Sequence, residues 1–415
     1  MRIGIFHDGL QIPPKAGIPY RFYYLSKVLA EQGVEIVLFL CDRFGVDKDT
    51  LKNEPYESHL FSPTTFYEDL DFVESVVKSA KVDAIQVDCS QAVLLYGARY
   101  AQNLQLPLIT EMHDIDSDKY LSSGGTDDCV IDHLNFVQKA AAFFSTSIIC
   151  MTDLDKNQLI KLGVPEEKCT IAANGVDTNF FYYSQPKINS RKLLFLGNMF
   201  YPPNRKTAQL IIENVMGDID ADLICIGMAE QEFIDTYSSH NVKFVGGVDD
   251  IRPYLEMGTI AVAPIFEGSG MRVKFLNFAS AGIPTVSTNI GISGYPEEIA
   301  IIENDIHSYK ELILKLLKNP SRLLEQSKKA REIVEKQFSW ESIAATVIDV
   351  YEKAKAQNKP VSQTPKSWQL GSYAVVSQKK APLPLWLEEE ERTKIQKSEP
   401  KYVYLSNKEV ESNES

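Results

Sequence analysis

Short apolar runs alternate with segments of helical period along most of the chain. Residues 2–7, 34–40, 82–87, 106–112 and 147–151 read as buried strands. Residues 20–32 read as an amphipathic helix that Gly33 closes in a left-handed C-terminal position. A further strand ends near 170–177 in an Asn174-Gly175 turn. Residues 183–191 are rich in Ser, Lys, Asn and Pro and fit a linker. The alternation then restarts, with strands at 192–196, 221–226, 242–245, 259–263 and 285–287 and helices at 207–215 and 271–281. From Ser308 to about Ala354 the pattern is helical. Beyond Gln357 it turns polar and proline-punctuated.

Strands alternating with helices in two successive blocks predict an α/β protein of two Rossmann-like, doubly wound domains that face each other across a cleft. The expected first domain is 1–182, the second 183–339. A last helix at 340–355 is expected to pack back on the first domain, and 358–415 reads as a disordered, low-complexity tail. Trp368, Trp386 and Tyr404 are unusual in an inert tail; they would anchor it on the body or on a protein partner, the alternative being a tail with a few sticky residues and no role.

Composition narrows the picture. The chain has 415 residues, enough for two domains, and 44% of them are hydrophobic, enough for sizeable cores. Its formal net charge of −13 argues against nucleic acid as a partner. Any phosphate site is therefore local, built from a few basic side chains and backbone N–H groups. The six cysteines are scattered without the close pairs of a zinc site or a disulfide framework. The N-terminus reads as a strand, not a signal peptide, and no stretch approaches the roughly 20 apolar residues of a membrane span. The expected localisation is cytoplasmic.

Candidate chemistry concentrates between Glu267 and Lys274, where a strand turns through Gly268, Ser269 and Gly270 into a helix read as beginning near Met271. Glycine lets a ligand approach the backbone, and a helix N-terminus attracts anions. Arg272 and Lys274 add two positive charges, and Glu267 is placed to accept from hydroxyls. Hydroxyl plus diphosphate describes a nucleotide sugar. The alternative is a tight turn with a solvated Arg and Lys. A second glycine turn, at Gly197 and Asn198, leads into a helix entry with Pro202 and Pro203, from which Arg205 or Lys206 would reach a phosphate. His113 ends a strand of the first half, although a lone histidine often has a packing role. Asp114 and Asp116 resemble a metal-binding pair, but such pairs are common in loops, and no metal site is assigned. The loop from Asp8 to Gly17 lacks a dinucleotide fingerprint and is expected to touch an acceptor.

Taken together, these segments resemble the retaining glycosyltransferases of family 4, of GT-B architecture. The likeness covers residues 1–355. It rests on Val245-Gly-Gly-Val-Asp-Asp-Ile-Arg-Pro-Tyr-Leu, the run Pro264 to Thr288, Asn174-Gly-Val-Asp177, Phe195-Leu-Gly-Asn-Met, Tyr201-Pro-Pro-Asn204 and Phe338-Ser-Trp340. The resemblance implies a nucleotide-diphosphate sugar bound by the second half and an acceptor (saccharide, small molecule, lipid-linked group or protein) bound by the first. It implies metal-independent transfer with no cofactor beyond the donor. It places Glu267 on sugar hydroxyls, Gly268 to Gly270 against sugar and phosphates, and His113 near the sugar. The chain departs at Asn277, where the family usually has a glutamate that accepts from ribose hydroxyls. Losing a charged hydrogen bond costs about 1.5–3 kcal/mol. A weaker donor site, a rearranged nucleotide site, and a non-catalytic or weakly active partner subunit of an active transferase all remain open.

Overall fold

The computed structural model describes residues 1–10, 12, 14, 17–122, 124–267, 270–357 and 399–406. The chain forms two compact units. One comprises Met1–Leu121, Gly125–Ala172 and Ile343–Ser415; the other comprises Ser122–Gly124 and Ala173–Ser342.

The first unit is built on an eight-stranded sheet. Its strands are β1 (Arg2–His7), β2 (Glu35–Cys41), β3 (Glu57–Phe61), β4 (Ala84–Asp88), β5 (Leu108–Met112), β6 (Ser147–Cys150), β7 (Cys169–Ile171) and β14 (Tyr402–Leu405). Their order is β14-β3-β2-β1-β4-β5-β6-β7. β1 lies parallel to both neighbours, with Ile3 beside Ile36 on one side and Ala84 on the other. Such strands are covered on both faces, which is why they read as unbroken apolar runs. Helix Gly17–Glu31 turns Phe22, Leu25 and Leu29 inward at helical spacing. Gly33 follows it at φ +90°. Helix Leu70–Ala80 is capped by Asp69, whose carboxylate accepts from the Phe72 N–H at 3.1 Å.

The second unit has a six-stranded, all-parallel sheet of β8 (Lys192–Leu196), β9 (Asp222–Ile226), β10 (Val242–Gly246), β11 (Ile260–Ala263), β12 (Thr285–Ser287) and β13 (Ile301–Ile302). The order is β10-β9-β8-β11-β12-β13. In both units the strand order reverses at the first strand, between β1 and β4 and between β8 and β11. That is the doubly wound arrangement the sequence pattern predicts, and ligands characteristically sit beyond the strand ends at the reversal.

Three expectations change. The units divide between Ala172 and Ala173, ahead of the 183–191 stretch, because residues 173–182 are tied into the second unit. Val176 donates to the Phe338 carbonyl at 2.8 Å, and Arg331 donates to the carbonyls of Thr178, Phe181 and Ser280. The strands β3 and β13 lie outside those the pattern predicts. Part of the expected disordered tail, β14, is a strand antiparallel to β3 and places Tyr404 opposite His59. The rest of the tail expectation, including Trp368 and Trp386, falls outside the described residues. No helix among the described residues is long and apolar enough to cross a membrane.

A buried polar chain holds the first unit together behind its strand ends. Arg21, on helix Gly17–Glu31, donates to the Glu111 carboxylate of β5 and to the Ala172 carbonyl at 2.9 Å. Gln86 of β4 donates to the other Glu111 oxygen at 2.7 Å, and Tyr351 donates to Gln86 at 2.5 Å. Tyr351 lies on helix Trp340–Gln357, so the chain pins that helix to the sheet. Breaking a buried pair by removing one partner leaves an uncompensated charge. Glu111→Ala is therefore expected to destabilise the protein by about 3–5 kcal/mol in urea unfolding; a loss under about 1 kcal/mol would mean that Arg21 finds other partners.

His59 joins β14 to the body. Its ring lies nearly parallel to Phe39 and Tyr402, at 5.0 and 5.9 Å between centroids, and its Nδ1 stands 2.7 Å from the Tyr402 hydroxyl. Burial pulls its pKa down from 6.5 to about 4. The unfolded ring protonates first, so the stabilisation is complete above pH 6.5 and declines as pH falls toward 4. A series of urea midpoints across that window should fall less steeply for His59→Leu than for the parent protein, and equal slopes would contradict this account.

Candidate functional site

At the reversal point of the second sheet, the loops after β8 and β11 stand side by side. After β8, the Gly197 N–H donates to the Ile226 carbonyl at 2.9 Å. Gly227 sits opposite at φ +137°, where a Cβ would lie 2.1 Å from the Gly197 oxygen, so glycine is required. Asn198 accepts from the Phe200 N–H through its side chain and from the Asn204 amide through its backbone carbonyl, at 3.1 and 3.0 Å. Helix Pro202–Asn214 begins there, with proline at its first positions.

After β11 the chain runs through Glu267 and through Gly270 at φ +78° to helix Lys274–Ala281. The helix starts at Lys274 rather than near Met271, because Arg272 is drawn back onto its own loop. Its guanidinium donates to the carbonyls of Ile290 at 2.7 Å and Gly270 at 3.1 Å, while the Tyr295 hydroxyl donates to the Arg272 carbonyl at 3.0 Å. Lys274 donates to Asn204 Oδ1 at 2.9 Å and stands 5.1 Å from the centre of the Phe195 ring. Burial, with the Arg272 charge second, pulls the Lys274 ammonium down to about 7. Desolvation also lowers Arg272. Among the described residues no carboxylate holds Lys274; its partner is a neutral amide.

The expected site residues sort as follows. Gly197, Asn198, Gly270, Arg272 and Lys274 line the two facing loops, and half-buried Met271 lies in the second. Lys206 pairs with Glu267 at 3.0 Å, so each occupies the other in the ligand-free protein. Arg205 is engaged elsewhere, 2.6 Å from Glu230 and over the Phe233 ring. Its expected reach toward a phosphate is not the arrangement observed. Gly268 and Ser269 lie outside the described residues. Asn277 is half-buried, three residues along the helix from Lys274. Asn204, which orients Lys274, is the residue that sequence reasoning passed over. Its signal was its place in the first turn of a proline-initiated helix.

His113 belongs to the first unit, just beyond β5. Its Nε2 is 2.8 Å from Asp88 Oδ1, at the end of β4. His7, at the end of β1, brings its own Nε2 to 3.4 Å from Asp88 Oδ2. Asp8 follows, accepting from the Tyr67 hydroxyl at 2.7 Å. Burial raises the Asp88 pKa, but His113, His7 and Arg21 outweigh it and the net shift is downward. Sequence reasoning missed Asp88 and His7; both are terminal residues of strands, at the carboxyl end where a doubly wound sheet gathers its chemistry.

Comparison with known proteins agrees with these two units. The model described as Glycosyltransferase Family 4 matches residues 16–180, and that described as Glycosyl transferases group 1 matches residues 190–319. The chain is a GT-B, glycosyltransferase family 4-like protein. It is 22% identical over 285 residues to a glycogen synthase of Mycobacterium tuberculosis, a match spanning 64% of this chain and 68% of that one. Over 153 residues it is 28% identical to a GDP-mannose-dependent monoacylated alpha-(1-6)-phosphatidylinositol monomannoside mannosyltransferase of Corynebacterium glutamicum, covering 32% of this chain and 39% of the relative. In fold it is similar to Anabaena HepE solved with UDP, with a TM-score of 0.66 and 16% identity, over 85% of this chain and all of HepE.

The half-buried Lys274 has a cost in the ligand-free protein. The unfolded lysine binds its proton at an ordinary pKa near 10.5 and the folded one at about 7, so stability falls as pH drops through that window. Lys274→Met is expected to melt higher than the parent without ligand, by about 1 kcal/mol of stability, with the gain growing toward pH 7. A lower melting temperature for the variant would show that the ammonium is stabilising where it stands.

Proposed function

We propose that this protein transfers a sugar from a nucleotide-diphosphate donor to an acceptor hydroxyl, with retention at the anomeric carbon and without a metal ion. The observation that carries this reading is Lys274: a desolvated amine beside Arg272, at the reversal point of the second sheet, with no carboxylate among the described residues to neutralise it. Such a group favours an incoming anion. A diphosphate fits because the arginine offers a planar fork and the lysine a compact charge. The relatives support a nucleoside diphosphate as the handle without agreeing on the base. HepE is solved with UDP and with UDP-glucose, and the Corynebacterium relative is named GDP-mannose-dependent.

Chemically, the donor's bond from anomeric carbon to phosphate oxygen breaks as the acceptor oxygen bonds to the same face of that carbon. The electron pair leaves with the diphosphate, and the acceptor proton follows it. Arg272 and Lys274 stabilise the charge that builds on the leaving group, in the role a metal plays in other transferases. Glu267 accepts from sugar hydroxyls once the donor draws Lys206 away. No protein nucleophile is assigned.

A second reading comes from Asn277. With an amide where the resembling family has a glutamate, the chain would bind donor weakly and serve as a partner of an active transferase. The two readings separate on turnover. Nucleotide sugars should raise the melting temperature, as ligands of the folded state do. The best donor should then be consumed, and Glu267→Ala or Lys274→Ala should stop its consumption. Binding without turnover supports the partner reading, and no binding by any donor removes both. Because Lys274 titrates near 7, binding a nucleoside diphosphate at pH 8 should draw in a proton. Calorimetry in buffers of different ionisation enthalpy measures this uptake. Uptake that persists in Lys274→Met would place the proton elsewhere.

A further inference from the structure

The reversal point of the first sheet holds a second constellation. β1, β4 and β5 bring His7, Asp88 and His113 to one end of the sheet, and the Asp88 carboxylate stands between two imidazoles, one on each oxygen. The ring tautomers follow from the surroundings. His7 Nδ1 accepts from the Gly9 N–H at 3.1 Å, so it carries no proton, and the proton of a neutral His7 sits on Nε2, facing Asp88. Asp88 Oδ1 is sealed from solvent and makes no well-aligned hydrogen bond, and His113 Nε2, at 2.8 Å, is the group beside it. The His113 side chain keeps 12% of its surface exposed, and no protein hydrogen bond is seen at its other nitrogen, Nδ1, among the described residues.

We propose that Asp88 is a positioning residue, flanked by His7, that fixes the His113 ring so that its Nδ1–H is presented to an oxygen of the substrate. The proposal rests on the transferase reading for its substrate, but the positioning itself does not. The arrangement has the logic of a metal-free carboxylate–histidine pair, in which the carboxylate sets both the orientation of the ring and its proton affinity.

The charges around His113 support this. Burial alone drags its pKa down. Asp88 raises it through charge and hydrogen bonding, Glu111 adds to that, Arg21 opposes, and the net shift is upward. Arg21 is itself committed to Glu111 and the Ala172 carbonyl. Within reach of Asp88 itself the further groups are His7 and Arg21. The backbone is shaped to the same end: Cys89, directly after Asp88, takes a left-handed φ of +65° that a non-glycine residue adopts at a cost. That turn sends the chain away immediately beyond the carboxylate.

The test has two arms on the full-length protein. In the first, nitrogen-15 labelling of the imidazoles follows His113, assigned by loss of its signal in His113→Gln. The parent ring should titrate above an ordinary histidine, and Asp88→Asn should lower its proton affinity at least tenfold. A parent His113 that titrates at or below the ordinary value, or one that Asp88→Asn leaves unmoved, overturns the proposal. The parent measurement decides the matter even if the Asn variant does not fold. In the second arm, the pH profile of donor turnover should fall as pH rises through the His113 titration. Asp88→Asn should move that falling limb to lower pH and reduce kcat with the donor KM little changed, while Asp88→Glu restores part of the loss. A limb that stays in place also overturns the proposal. If no nucleotide sugar is turned over, the transferase reading fails alone, since the titration arm still decides what Asp88 does.

Discussion

A parallel sheet wound in both directions from its first strand has one place where successive connections part, beyond the carboxyl ends of two neighbouring strands. Both units obey this constraint, and each keeps its polar chemistry there. In the second, the parting strands β8 and β11 deliver Asn198 and Asn204 from one side and Glu267, Arg272 and Lys274 from the other. In the first, β1 and β4 deliver His7 and Asp88, and β5 adds His113. Elsewhere most strand positions are apolar because helices cover both faces, and the buried Gln86–Glu111 pair of the first sheet is an exception that is hydrogen-bonded. The strand ends are where a charge is held without opening the core.

The two sites hold charge in different ways. The first unit's is internally compensated. Glu111 answers Arg21, Asp88 stands against His113, and Gln86 and Tyr351 extend the Glu111 chain. The Arg21–Glu111–Gln86–Tyr351 chain fixes the last helix, and the Asp88 pair lies at the ends of the neighbouring strands. The second unit's site is held differently. Arg272 donates to backbone carbonyls and Lys274 to an amide. A lysine held by an amide is less stable than a salt-bridged one and more receptive to an anion, which is the usual conflict between stability and function.

What could be read in the sequence follows from the same physics. β1 is recovered residue for residue because a strand buried on both sides carries its signal locally. β3 escapes because it opens on Glu57, Ser58 and His59, and its strand character comes from pairing with β2 and β14. β14 escapes for a stronger reason: four residues in a polar tail become a strand only through the edge they cover. The loop from Glu267 to Lys274 is recognisable as an anion site from its residue types, yet the start of its helix is not, because Arg272 is held by the carbonyl of Ile290, a residue distant in sequence. The His7–Asp88–His113 cluster had no local signal beyond three polar residues at strand ends, since its meaning lies in the order of the strands.

Asn277 acquires a physical role in this setting. Residues three apart share a helix face, so position 277 lies on the same side as Lys274. The resembling family's glutamate there would put a carboxylate near the lysine and hold it charged. The asparagine supplies no such charge, and burial keeps the amine near pH 7 instead. On the transfer proposed above, the substitution would act twice on donor binding. It would weaken whatever hydroxyl contact the glutamate makes, and it would leave the ligand's own phosphates as the group that charges Lys274. A site of that kind binds less tightly at alkaline pH, where the proton must be taken up along with the donor, than one whose lysine is already cationic.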